Sequence, residues 1–238
     1  MSDAPAGLEI FEDVKRIIVV AAHPDDLECL CGGTISLLTA RGVEVISVNC
    51  TLGDIGTQDA ATVRPALAST RLSETDAAAR VLGLTATYNL GHHDGELVPD
   101  LELRAQIARL YRVSQADTLM TFDPFGTARS TRTMLAGQAA LDAYMPSRMP
   151  LYRPEQLREE GADLGQIKRV LLFGTGREPD VYVDVSAVYA TKLAACMAHV
   201  SQFPKGEESL QWMKERDTRG GEAVNVPYAE VFKRMLTW

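Results

Sequence analysis

Four side chains that can bind a metal or carry a proton lie within six residues near the start of the chain. His23, Asp25, Asp26 and Glu28 follow the apolar run 17–22. Imidazole nitrogen and carboxylate oxygen both bind zinc at about 2 Å, so His23 and Asp26 can occupy two positions on one divalent metal. Asp25 between them stays available to take a proton from a water on that metal. The spacing therefore predicts two metal ligands and a general base.

The same residues also suit an ordinary turn at the end of a strand. Asp and Pro are common in turns, and Asp26 is able to cap a following helix. Glu28 either orients a metal ligand without touching the metal itself, or is a carboxylate in the first turn of a helix, where the helix dipole favours it. Ligands in open α/β sheets bind at the carboxyl ends of strands, which favours a functional role for His23 and its neighbours.

Strand-like and helix-like segments alternate through the first half of the chain. The predicted strands are 16–22, 43–50, 85–90 and 118–122, and the helices between them are 35–41, 65–82 and 101–113. Further strands are expected at 169–173 and 181–185, before a helix at 188–201. Alternation of this kind indicates βαβ units and a mainly parallel α/β sheet.

Four polar segments follow the carboxyl ends of these strands: 23–28, 53–56, 92–94 and 123–124. Because the carboxyl ends of parallel strands share one rim of the sheet, we expect these segments to converge there.

Composition excludes several classes of function. The 238 residues are 46% hydrophobic and 24% charged, which is typical of a soluble globular protein. A net charge of −8 argues against a nucleic-acid partner. No apolar run reaches the roughly 20 residues of a membrane helix, so no membrane partner is expected. The sequence predicts a small-molecule substrate and leaves a homo-oligomer open.

The N-terminal segment has no secretory pattern, and the four cysteines have no disulfide-framework spacing. These features predict a cytoplasmic protein. No repeat or linker is evident, so we expect a single domain over 1–238, with 1–14 as a loose N-terminal extension.

The segment His23-Pro24-Asp25-Asp26-Leu27-Glu28, followed by Cys31-Gly32-Gly33-Thr34, resembles the signature of the LmbE-like (PIG-L) N-acetylglucosaminyl de-N-acetylases. The likeness runs on through much of the chain, in segments 53–56, 71–74, 82–83, 94–97, 137–143, 180–184 and 198–203.

This resemblance implies a Rossmann-like three-layer fold and zinc-dependent removal of an acyl group from an N-acetylated amino sugar or related small amide. Carried over by position, His23 and Asp26 match metal ligands and Asp25 matches the general base. Arg71 and Asp94 match residues that contact the hydroxyl groups of the substrate.

The chain departs from the family pattern at the third metal ligand. The family takes that ligand from a downstream His-Pro-Asp-His motif, whose place here is taken by 130–133, Ser-Thr-Arg-Thr. The Thr133 hydroxyl is a poor zinc ligand beside imidazole, and Arg132 brings positive charge close to the metal position. This sequence is thus a diverged member lacking the distal motif.

Three other histidines exist. His92 and His93 precede Asp94 on the predicted rim, and His93 is the candidate substitute ligand; both also suit partly exposed loop positions. His199 suits a hydrogen-bonded, partly buried residue of a helix, with a contact to the cleft as the second interpretation.

Three functions stay open on this evidence. The first is a zinc-dependent amide hydrolase. The second is a diverged member that has lost metal and hydrolysis and binds a small molecule or a partner. The third is a different reaction on the same rim, such as that of a hydratase or lyase.

Overall fold

The computed structural model describes residues 7–125, 131–175 and 177–235, without the side chains of residues 131 and 132. Its strands are β1 (Arg16–Ala21), β2 (Glu44–Thr51), β3 (Ala86–His92), β4 (Thr118–Phe122), β5 (Arg169–Phe173), β6 (Val181–Asp184) and β7 (Ala229–Met235). Its α-helices are α1 (Asp26–Thr39), α2 (Arg64–Leu82), α3 (Leu101–Ser114), α4 (Thr131–Asp142), α5 (Tyr144–Ser147), α6 (Tyr189–Met197) and α7 (Gln211–Glu222).

The strands form one sheet in the order β3-β2-β1-β4-β5-β7-β6. The first five strands in this order are mutually parallel, and β7 runs antiparallel to β5 and β6. Continuous apolar strands at the centre are what burial on both faces requires. Residues 17–21 of β1 are completely buried.

Helices cover both faces of the sheet. On one side α1, α2 and α6 pack against one another, and on the other side α3, α4 and α5 do so. The result is the three-layer α/β fold with a mainly parallel sheet that the sequence predicted.

Two segments fold differently from the sequence expectation. Residues 8–14 are not loose: Leu8, Phe11 and Val14 are buried in the core, because a short 3-10 helix (Leu8–Phe11) turns them onto it. Residues 1–6 of the expected extension lie outside the described part of the chain. The first helix begins at Asp26 rather than near Ile35, and it includes Gly33, where a Cβ would lie 2.7 Å from Val185 Cβ.

No described helix combines the length and the apolar character that crossing a bilayer requires.

Candidate functional site

The turn after β1 holds an unusual backbone conformation. Asp25 has φ 100°, a region that residues other than glycine adopt rarely. Its carbonyl accepts a hydrogen bond from the backbone amide of Cys29 in the first turn of α1 (3.1 Å). Such strain persists only where surrounding contacts fix it, and it is concentrated at functional sites.

The Asp26 carboxylate folds back over this turn. Its Oδ2 accepts hydrogen bonds from the backbone amides of Ala22 (3.1 Å) and His23 (2.7 Å). The same oxygen lies 3.4 Å from His23 Nδ1. Two ligand atoms at about 2.0–2.1 Å from one tetrahedral zinc are separated by about 3.3–3.4 Å, so this pair has a separation that fits one metal ion.

The other nitrogen of the His23 ring is also engaged. His23 Nε2 lies 3.1 Å from Asp94 Oδ1. Burial acts to lower the pKa of His23, but the carboxylates of Asp26 and Asp94 outweigh it and raise that pKa to about 10. The imidazole therefore lies in a strongly negative environment that suits a cation.

Asp25 is paired with a buried arginine. Arg71 Nη2 lies 3.2 Å from Asp25 Oδ2 and also donates to the Pro24 carbonyl, while Nη1 donates to the Gly53 carbonyl (2.9 Å). Burial raises the pKa of Asp25 to about 7, although Arg71 acts to lower it. A carboxyl group with this pKa is matched to proton transfer near neutral pH.

The close approach of Arg71 depends on a glycine. Gly53 has φ +62°, and a Cβ there would lie 2.2 Å from Arg71 Nη1. The glycine-rich loop after β2 therefore leaves the space that the guanidinium fills.

Asp54 is a residue that the sequence analysis did not single out. Its side chain is 1% exposed. Its Oδ1 accepts a hydrogen bond from the Asp94 backbone amide (2.8 Å). Its Oδ2 contacts His93 Nδ1 (2.6 Å) and accepts a hydrogen bond from Arg64 Nε (3.0 Å). Burial acts to raise the pKa of Asp54, but these hydrogen bonds lower it overall. The only sequence signal was its place in a loop predicted to reach the rim.

The two histidines that were candidates for the third metal ligand each contact another side chain. His92 Nε2 is 2.9 Å from Gln106 Oε1, and the half-exposed His93 contacts Asp54. Within the ranges that the structure describes, no three or more His, Cys, Asp or Glu side chains are grouped so as to hold one metal ion. The structure thus brings His23, Asp25, Asp26, Arg71 and Asp94 together, while the His93 ring contacts Asp54.

His199 is more buried than the sequence suggested. Its side chain is fully enclosed, and Nε2 lies 3.5 Å from Glu28 Oε2. Burial acts to lower the pKa of His199, while Glu28 and then Asp25 raise it, with a net increase. Glu28 therefore faces His199 behind the turn.

The distal segment is described only in part. Ser130 lies outside the described residues, and residues 131 and 132 contribute backbone to the start of α4. Thr133 is buried. The predicted position of the Arg132 charge near the metal thus concerns a side chain outside the described part.

Asp123 marks the same rim beside β1. Residues 17–20 of β1 pair with 118–121 of β4, which places Asp123 next to the His23 turn. Asp123 is completely buried and holds Arg177 through two hydrogen bonds of 2.8 and 2.9 Å. With the contacts of His23 and Asp54, this confirms that the four strand-end segments share a rim.

The fold and the site define an α/β protein with a largely buried cluster of acidic and basic side chains at the carboxyl ends of its strands. The family model described as GlcNAc-PI de-N-acetylase (PIG-L) matches residues 18–143, more than half of the chain. The chain belongs to this family.

Curated relatives agree with the assignment. The diacetylchitobiose deacetylase of Thermococcus kodakarensis is 32% identical over 83% of this chain and 73% of the relative. The probable N-acetyl-alpha-D-glucosaminyl L-malate deacetylase 2 of Bacillus cereus is 31% identical over 79% of this chain and 84% of the relative.

Solved structures show the same fold. The N,N'-diacetylchitobiose deacetylase of Pyrococcus horikoshii, in complex with its inhibitor MPG, superposes with a TM-score of 0.89 at 31% identity, covering 94% of this chain and 85% of that one. The 4-carboxy-2-hydroxymuconate hydratase GalB of Pseudomonas putida has a TM-score of 0.78 at 21% identity, covering 94% and 97%. This second likeness shows the fold alone.

Proposed function

We propose that this protein is a metal-dependent hydrolase that removes the acetyl group from an N-acetylated amino sugar. The observation that carries the proposal is the 3.4 Å separation of His23 Nδ1 and Asp26 Oδ2 beside the partly buried Asp25 carboxylate. Family membership and the deacetylase names of the relatives support it.

His23 and Asp26 would hold the metal, and their nitrogen and oxygen donors suit zinc. When bound, zinc lowers the pKa of a water toward about 7 and polarises the amide carbonyl. His93 stays the predicted third ligand. Because its Nδ1 contacts Asp54, the nitrogen left for a metal is Nε2.

Asp25 would act as the general base. It takes a proton from the attacking water and returns it to the amine nitrogen as the C–N bond breaks, so that water and amide give a carboxylic acid and an amine. Its pKa of about 7 allows both transfers near neutral pH. Arg71 keeps the carboxylate in place at 3.2 Å.

Arg71 has a donor left for substrate. Its Nε is buried and has no hydrogen-bond partner within the described ranges. A buried donor without a partner costs about 1–3 kcal/mol, and a substrate hydroxyl would satisfy it. Contact of Arg71 and Asp94 with substrate hydroxyls is part of this proposal.

Acetate release tests the function. Protein stripped of metal by chelation and then supplied with zinc is incubated with N,N'-diacetylchitobiose, and acetate and free amine are quantified. We expect equal amounts of both, dependent on zinc. Turnover without acetate would favour a hydratase or lyase, and ligand binding without turnover would favour a binding protein.

A further inference from the structure

The contact between His23 and Asp94 occupies one nitrogen of the imidazole ring and leaves the other for a cation. Asp94 Oδ1 lies 3.1 Å from Nε2, while Nδ1 faces Asp26 Oδ2 at 3.4 Å. One ring nitrogen is thus engaged by a carboxylate, and the other lies where a shared metal would bind. A histidine that binds zinc usually donates its second N–H to a carboxylate, carbonyl or water, which fixes the tautomer and the ring orientation.

Asp94 is itself held in position. Its side chain is 5% exposed, and its backbone amide donates to Asp54 Oδ1 at 2.8 Å. The Asp54 carboxylate also contacts His93, the residue before Asp94, and accepts a hydrogen bond from Arg64. Arg64 Nη2 in turn reaches the Asp94 carbonyl at 3.5 Å. The loop after β3 is therefore held around Asp94 by Asp54 of the loop after β2 and by Arg64 at the start of α2.

These contacts form a continuous series from the β2 loop to the metal position. Asp54 holds the Asp94 backbone, the Asp94 carboxylate holds His23, and His23 faces Asp26. The three joining distances lie between 2.8 and 3.4 Å.

We propose that Asp94 is a positioning residue that fixes the His23 ring with Nδ1 turned to the metal, and that Asp54 supports it. The proposal rests on the metal-dependent function above. In this role Asp94 acts before substrate binds, because it holds the His23 ring in the orientation that metal binding requires.

Zinc affinity tests this role without reference to turnover. Metal-free wild type, Asp94→Asn, Asp94→Ala and Asp54→Asn are titrated with zinc against a chromophoric chelator. We expect Kd to rise about 10–100-fold in the Asp94 variants, and by a smaller factor in Asp54→Asn. Glu96→Gln is the matched control, because Glu96 lies two residues away with an exposed side chain bonded only to Arg64 among its described contacts, and its Kd should stay unchanged.

A second measurement does not depend on the variants folding. Nitrogen chemical shifts of the His23 ring in zinc-loaded wild type identify the coordinating nitrogen, which we expect to be Nδ1. Coordination through Nε2 would overturn the proposal, as would equal zinc affinity in wild type and Asp94→Ala. Normal zinc behaviour without acetate release would refute the deacetylase function and leave the role of Asp94 intact. Absence of zinc binding to wild type would overturn both.

Discussion

Arg71 and Asp25 are 46 positions apart in the sequence and form an ion pair of 3.2 Å at the turn after β1. The arginine side chain is 3% exposed, so water screens the pair little. Arg71 also donates to the carbonyls of Pro24 and Gly53. One guanidinium thus fixes the Asp25 carboxylate, the strained turn and the loop after β2.

Replacing Arg71 should destabilise the fold through Asp25. Arg71→Met leaves a partly buried carboxylate without its cation and two carbonyls without donors, which should cost about 2–4 kcal/mol in the free energy of unfolding. The double variant Asp25→Asn/Arg71→Met should recover part of that loss, because the uncompensated charge is gone. Urea unfolding of the four proteins in the cycle measures this. Strictly additive effects would show that the pair is not coupled.

Gly53 should be needed for more than its backbone conformation. In Gly53→Ala the new Cβ would lie 2.2 Å from Arg71 Nη1, so the guanidinium must move and acetate release should fall at least tenfold. Gly42→Ala is the matched control: its φ is +83° and nothing lies within 4 Å of a Cβ there. It should lose only about 1 kcal/mol of stability and keep its kinetics. Equal kinetic effects of the two changes would refute this account of the loop.

The Asp123–Arg177 pair should make stability depend on pH in the acid range. Burial acts to raise the pKa of Asp123, but hydrogen bonds from Arg177, Thr175 and Phe125 lower it below its ordinary 3.8. A lowered folded pKa gives stability that is present above the unfolded pKa and is lost as pH falls through the folded value.

Arg177→Gln should therefore destabilise the protein by about 1–2 kcal/mol at pH 7, since Arg177 is partly exposed, and the difference from wild type should shrink below pH 3.8. Urea unfolding at pH 7 and at pH 3 measures both values. Lys205→Gln, which removes an exposed pair with Glu208, should show neither effect. A constant difference across pH would contradict the assignment to Asp123.

His93, the predicted third ligand, should contribute to the affinity for zinc. His93→Ala is expected to weaken zinc binding at least tenfold and to cost about 1–2 kcal/mol in the free energy of unfolding of the metal-free protein, because it removes a hydrogen bond to the buried Asp54 carboxylate. His92→Gln serves as the control, since its contact is to Gln106. Unchanged zinc affinity in His93→Ala would mean that the remaining coordination positions are not filled by this residue.

Much of the fold could be predicted because its parallel strands are apolar runs ended by polar turns. β4 and β5 begin and end where the sequence predicted. α7 and β7 were missed, since their sequences are strongly charged and their burial depends on distant partners: Glu230 of β7 accepts the amides of Gly33 and Thr34 in α1.

The site was predictable where it is local. His23, Asp25 and Asp26 stand together in the sequence, and their arrangement follows from one turn. Asp54 was not predictable, because an aspartate in a glycine-rich loop has no local signature, and its contacts with His93 and Asp94 join residues 39 and 40 positions away. The identity of a third ligand likewise depends on tertiary placement rather than on spacing.

The most direct test of the central claim compares Asp25→Asn with Asp26→Asn in acetate release from N,N'-diacetylchitobiose and in zinc affinity. Asparagine tolerates the backbone conformation of residue 25, so the turn should persist. We predict that Asp25→Asn binds zinc like wild type but releases acetate about 10²–10⁴-fold more slowly, whereas Asp26→Asn loses zinc affinity as well. Acetate release by Asp25→Asn at the wild-type rate would contradict the account.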